Sequence, residues 1–256
     1  MGFKKSTKPN IRRRKAYRKR AVPKSVKTYV KRQIASNIED KIAVLQNLLN
    51  TTITQTNSTT IGVIQNLIPL IDQSGTQVCD RLGNRIKCKR LIYSGQVSRN
   101  ALNNTAVPQM TVCVIGRLKS GYDTPSLSQM NLLKYQSTNT GSPTMGTISS
   151  TDMRTIYSPF NRDVFDIKLV KYFKVFNASG MPNPFVNNDF KIQQSFSINL
   201  TKYVKKVWRY NNTVNNPENE GLYAMWFAVN MDSSTTFPAT GCISLDSVAT
   251  CYYEDA

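Results

Sequence analysis

The chain has 256 residues, with 34 Lys and Arg against 15 Asp and Glu and no His, a formal charge of +19. Without imidazole there is no Ser-His-Asp or Cys-His nucleophile, no HExxH zinc site and no His-containing zinc finger. Apolar residues make up 40%, enough for a packed core, and the charge points to a polyanionic partner, nucleic acid ahead of an anionic membrane.

The charge lies at the start. Residues 1–32 hold 14 Lys and Arg and no acid, whereas the other 224 hold 20 against 15. The arm cations are Lys4, Lys5, Lys8, Arg12, Arg13, Arg14, Lys15, Arg18, Lys19, Arg20, Lys24, Lys27, Lys31 and Arg32. From Arg12 to Arg20 there are seven cations in nine residues. Such a run repels itself and has little apolar surface with which to offset its chain entropy, so residues 1–24 are expected to be disordered when alone. All 14 are candidate phosphate contacts, without base preference and with affinity falling steeply as salt rises. The same run fits a nuclear-import signal. Tyr17 and Tyr29 suit base stacking or a plain spacer role equally.

After Pro23, Val26, Val30, Ile34 and Ile38 recur every four residues and Ser25 offers a cap. The spacing predicts a basic amphipathic helix over 25–36, with helix and linker together reaching 48. The body then runs from 49 to 256. Its strands are expected at 61–68, 85–97, 109–118, 165–175, 190–200, 203–210, 222–231 and 242–253. Phe190, Ile192, Phe196, Ile198 and Leu200 alternate with polar residues at period two, and 222–231 is apolar on both faces, as in a central or covered strand. Trp226 and Tyr223 there suit the core or a subunit interface, with core favoured for Trp226. Trp208, flanked by Lys205, Lys206 and Arg209, suits the core and a genome-facing position equally. With no βαβ alternation, eight strands predict an all-β protein: an antiparallel jelly-roll sandwich preceded by a basic arm and a short helix.

Other signals are weaker. Cys79, Cys88, Cys113, Cys242 and Cys251 form no CxxC pair and read as reduced thiols. Six Asn-x-Ser/Thr sequons, at Asn50, Asn57, Asn103, Asn177, Asn199 and Asn211, reflect an Asn/Thr-rich composition. No transmembrane run, secretory signal, P-loop, GxGxxG or GxSxG is found, so neither an enzyme nor membrane insertion is expected and no cofactor is assigned.

Gln73-Ser74-Gly75-Thr76, then Arg81-Leu82-Gly83-Asn84-Arg85-Ile86-Lys87-Cys88-Lys89, resembles the "QGT…R-[IL]-G-x-x-I-x-x-K" segment that opens the second jelly-roll strand in capsid proteins of circular, Rep-encoding single-stranded DNA viruses. Their shells in turn resemble that of satellite tobacco necrosis virus. The run Phe196–Tyr210, an Asn/Pro loop, and Gly221-Leu222-Tyr223 is similar to the same family's later part. The arm departs from circoviruses proper in having many Lys. The resemblance implies a sixty-subunit, T=1 icosahedral shell of this chain with itself, packaging a single-stranded genome, DNA favoured over RNA, in a virion assembled in the host nucleus. Fourteen arm charges on sixty copies give about 840 interior charges against the genome. The receptor is not legible. Glu218 with Glu220, and Glu254 with Asp255, are the candidates for an inter-subunit calcium site, against the commoner case of free surface carboxylates. The alternative is a cellular nucleic-acid-binding protein such as a ribosomal protein, which explains the arm but fits the mildly charged body less well.

Overall fold

The computed structural model describes residues 23–37, 40–53, 63–73, 80–99, 109–121, 132–133, 154–175, 193–211, 214–231 and 243–255. The chain divides into two units, Met1–Glu39 and Asp40–Ala256.

The first unit contributes helix α1, Lys24–Asn37. Its first turn closes on Pro23, whose carbonyl accepts from the Lys27 amide at 3.1 Å. Ser25 therefore lies inside the first turn rather than at the cap. The helix ends by Asn37, and the segment assigned to helix and linker as far as 48 is instead strand β1, Lys41–Ile53. The physical reason is visible at its start. Lys41 and Ala43 are buried while Ile42 and Val44 are exposed, a period of two carried by β-branched residues and backed by a long partner strand.

The second unit continues with β2 (Val63–Asn66), β3 (Arg85–Arg99), β4 (Gln109–Leu118), a single helical turn α2 (Arg154–Tyr157), β5 (Phe165–Val175), β6 (Gln193–Asn199), β7 (Val207–Arg209), β8 (Tyr223–Asn230) and β9 (Ile243–Asp255). One sheet has the order β1-β9-β3-β6, with β7 also on β3, and the other β2-β8-β4-β5. With β7 set aside, first pairs with last, second with next to last, third with third from last, and the middle two with each other. That is one long antiparallel hairpin rolled up so that β9 also meets β3 and β8 meets β4. The result is the jelly roll, a two-sheet antiparallel sandwich. Seven of the eight predicted strands lie within a few residues of their expected positions. The eighth, 203–210, is mostly a 3-10 turn (Thr201–Tyr203) and an irregular link, with only Val207–Arg209 in strand. Asn199 Oδ1 takes the Thr201 amide at 3.0 Å and Thr201 Oγ1 takes the Leu91 amide at 3.0 Å, which turns the chain before it can extend.

Between the sheets, Leu91, Tyr93 and Val97 of β3 and Leu245, Ala249 and Cys251 of β9 pack with Cys113 and Ile115 of β4, Phe173 and Val175 of β5, and Ala224, Trp226 and Ala228 of β8. Trp226 sits 5.5 Å from Phe173 and 5.4 Å from Phe196, ring centre to ring centre, with Tyr93 5.1 Å from Phe196. Burying each such side chain stabilises by about 1.5–3 kcal/mol. A polar chain runs through this core from sheet to sheet. Trp226 Nε1 donates to Tyr93 Oη at 2.9 Å, Tyr93 Oη to Gln65 Oε1 at 2.6 Å, and Gln65 Nε2 to Ser247 Oγ at 2.9 Å. Burial pushes the Tyr93 phenol well above its ordinary range, so it stays a donor.

The other face of β8 explains the doubly apolar run. Met225, Phe227 and Val229, with Val112 and Val114 of β4, form a second core under Leu132, Leu133 and Ile156 from the connection between β4 and β5. This face is covered by the chain's own long loop.

Candidate nucleic-acid interface

The expected arm contacts Lys4, Lys5, Lys8, Arg12, Arg13, Arg14, Lys15, Arg18, Lys19 and Arg20 lie outside the described residues. Lys24, Lys27, Lys31 and Arg32 belong to α1, where positions 24, 27 and 31 share one side of the helix by their spacing. Residues 23–30 are exposed throughout, with Val26 and Tyr29 open at 46% and 64%.

The body begins at Asp40, at a corner rich in charge. The Asp40 carboxylate pairs with Lys89 of β3, and Lys41 Nζ meets Asp255 Oδ2 at 2.8 Å and the Asp80 carbonyl at 2.6 Å. Glu254 of β9 pairs with Lys87 and, at 2.8 Å, with Lys89. The bonds from Lys87 and then Lys89 hold its carboxyl below its ordinary value. These pairs tie β1, β9 and β3 together across their register. They also commit Glu254 and Asp255, two of the four calcium candidates, to lysines. Among the described residues no group of three or more His, Cys, Asp or Glu is placed to hold a metal.

Beside this corner lies Arg81, fully buried yet, among the described residues, without a carboxylate partner. Its Nε donates to the Ile71 carbonyl at 3.2 Å. Nη1 donates to the Gly83 carbonyl at 2.8 Å and to Asn84 Oδ1 at 3.2 Å. Nη2 reaches the Asn211 carbonyl at 3.2 Å and the Val214 carbonyl at 3.5 Å. Its guanidinium carbon stands 4.6 Å from the centre of the Tyr210 ring. A planar fork suits this task, because it serves acceptors on three sides at once. The first arginine of the Arg81–Lys89 segment is thus a strut that pins the connection before β3 to the chain after β7.

Trp208 is fully buried, its Nε1 donating to the Lys205 carbonyl at 2.8 Å. Its neighbours Lys205, Lys206 and Arg209 remain exposed. Of the two positions open to Trp208, the structure takes the core for the ring and leaves the cations outside.

A third feature is a cleft of about 570 Å3 between the end of β4 and the start of β8, lined among others by Arg117, Lys119, Lys205, Glu218, Glu220 and Tyr223. Glu220 is committed here as well. Its Oε1 lies 3.0 Å from Arg117 Nη1, and its Oε2 accepts the Lys205 amide at 2.6 Å. Burial raises its carboxyl above the ordinary value.

No protein-family model matches the sequence, and no curated protein matches it. Among solved structures, a chain of Desmodium yellow mottle tymovirus aligns over 85% of this chain and 88% of its own, at 8% identity and a TM-score of 0.37. The jelly-roll assignment stands on strand order and register, independently of that likeness.

Proposed function

We propose that this chain is the coat protein of a small non-enveloped virus. Residues 40–256 build the shell, and residues 1–32 bind and condense a single-stranded genome. The observation that carries this is the joining of two parts of opposite character. One is a jelly-roll body of modest charge, and the other is a separate unit with 14 cations and no acid in its first 32 residues. Jelly rolls also serve as lectins and cupins, but a cupin metal site is normally built on histidines, which this chain lacks. A packaging protein must cover any sequence, and a run of arginine and lysine gives affinity without base readout. Single-stranded DNA is the favoured cargo and the host nucleus the site of assembly, with Arg12–Arg20 as the import signal.

Negative-stain microscopy of the expressed full-length chain, with absorbance taken on the same fraction, tests the reading. Uniform spheres carrying nucleic acid are the expected result. Deleting residues 1–20 is expected to leave a folded body and particles empty of nucleic acid. Normal filling of such particles would refute the role of the arm. A small monodisperse species that binds single strands and never assembles would make this a cellular nucleic-acid-binding protein. A reporter fused to residues 1–32 that stayed in the cytoplasm would reject the import signal.

A further inference from the structure

The register of β7 on β3 sets Arg85 directly opposite Arg209, with Ile86 opposite Trp208 and Lys87 opposite Val207. Ile86 and Trp208 are fully buried, so the alternate residues Arg85, Arg209 and Val207 face solvent on the same side of the ribbon. Like charges placed opposite one another in an antiparallel pair repel. The neighbouring lysines 41, 87 and 89 all find carboxylates, yet among the described residues no ion pair reaches Arg85 or Arg209. Arg90, five positions further along β3, and Lys206, whose carbonyl accepts the Cys88 amide, are exposed too and have no ion pair among the described residues.

The ribbon is hydrogen-bonded along both edges. Asn219 closes its outer edge, accepting the Arg209 amide at 2.9 Å and donating to the Val207 carbonyl at 3.1 Å. The Tyr210 amide donates to the Asn84 carbonyl at 2.9 Å, and the Cys88 amide to the Lys206 carbonyl at 2.9 Å. Arg81 clamps Gly83 and Asn84 on one side to Asn211 and Val214 on the other, and so holds the register that makes the two arginines face each other.

We propose that this ribbon is a second phosphate-binding surface, on the body itself, for the backbone of single-stranded nucleic acid. Arg85 and Arg209 are its paired forks. The inference deepens the packaging reading and rests on it. Phosphodiesters relieve the repulsion, and each fork can grip one in bidentate fashion. A second copy of the chain is the alternative partner: Asp40, Glu220, Glu254 and Asp255 are already paired with cations of their own chain, whereas Glu218, exposed in the cleft, has no ion pair among the described residues. The ribbon exposes no aromatic ring, so it holds backbone and does not read bases.

The test uses the full-length chain, the double variant Arg85→Gln/Arg209→Gln, and a control that removes equal charge elsewhere, Arg162→Gln/Lys171→Gln. Binding of labelled oligothymidylate and oligouridylate is followed by anisotropy across a salt series. Losing two phosphate contacts should reduce the slope of log K against log salt by about 1.4, with affinity falling several-fold at low salt. The control should move the slope far less. The melting temperature of the double variant should hold or rise, since a repulsive pair has gone; a purely structural role for the arginines would lower it. If the unmutated chain binds and the double variant matches the control, the ribbon proposal is wrong and the arm alone suffices. Unchanged binding together with altered sedimentation would make the ribbon a protein contact, which also overturns it. No binding by the unmutated chain would sink the packaging reading, and the ribbon's role with it.

Discussion

Replacing Arg81 tests whether the buried guanidinium is the strut described above. Arg81→Met keeps much of the volume and removes every donor. Five acceptors then lose their partner: the carbonyls of Ile71, Gly83, Asn211 and Val214 and the side chain of Asn84. Asn84, Asn211 and Val214 are exposed residues, so water can replace the arginine there, whereas Ile71 is buried. One fully orphaned acceptor costs about 1–3 kcal/mol. Loss of the contact with the Tyr210 face adds about 0.5–2 kcal/mol. Relief of the desolvated cation works the other way. The balance is a destabilisation of about 2–4 kcal/mol. Arg81→Lys should be nearly as harmful, because one ammonium cannot serve Ile71 and Asn211 together. Urea unfolding of the full chain, followed by the fluorescence of Trp208 and Trp226, measures the loss. Amide exchange should rise first in 83–86 and 207–211 and last in β8. Both variants lying within about 0.5 kcal/mol of the parent, with unchanged exchange in β7, would refute the strut.

Glu254 and Glu220, two of the buried carboxylates, should pull stability in opposite directions with pH. Glu254, lowered by its lysines, contributes stability that is present above its ordinary value of 4.5 and fades as pH falls through the lowered one; Lys87→Gln should blunt that acid loss. Glu220, raised by burial, contributes stability at low pH that is lost as pH rises through its raised value, so Glu220→Gln should flatten a melting profile above the ordinary Glu range. In β3, a Cβ at Gly95 would stand 2.2 Å from the Asp246 carbonyl and 2.8 Å from the Ser247 Cα, both backbone atoms of the paired strand. Gly95→Ala should therefore cost about 1–3 kcal/mol in a melting experiment, while Gly83→Ala, with nothing within 4 Å, should be close to silent. Cys88, Cys113 and Cys251 are free and buried, and burial raises the Cys113 thiol well above its ordinary value. Site-resolved alkylation should spare all three until denaturant is added.

How much was legible follows from the range of the interactions involved. Strands such as 109–118 and 165–175 announce themselves because one face of each alternation must be buried, and alternation is a local property. β1 did not announce itself. Its residues Lys41–Leu45 carry a pattern short enough to be continued from the preceding helix, and what makes them a strand is β9, some two hundred positions later. The same holds for the site. The arm cations are a run and can be read as a run. Arg81 and Arg85 stand in one motif and Arg209 in a basic cluster about 120 positions later, and only the register of β7 on β3 turns two of them into a pair and the third into its support. The doubly apolar β8 was readable as a covered strand, but whether the cover was a partner or the chain's own loop depended on Leu132, Leu133 and Ile156.

Net charge is therefore a poor guide to where the body's own field lies. Residues 33–256 sum to only +5, yet the sum hides two different populations. Lys41, Lys87, Lys89, Arg117 and Lys168 are neutralised by carboxylates of the same chain, and Arg81 and Arg99 are spent on buried hydrogen bonds, Arg99 Nη1 donating to Gln109 Oε1 at 2.7 Å. Among the cations left open are Arg85 and Arg209, set opposite each other on the β3–β7 ribbon. A mild average thus hides paired cations and open ones, and on the ribbon two of the open ones face each other. If the body packs against copies of itself, as proposed, the self-neutralised strands can approach one another without like-charge repulsion, while facing arginines are relieved by an anion beside them.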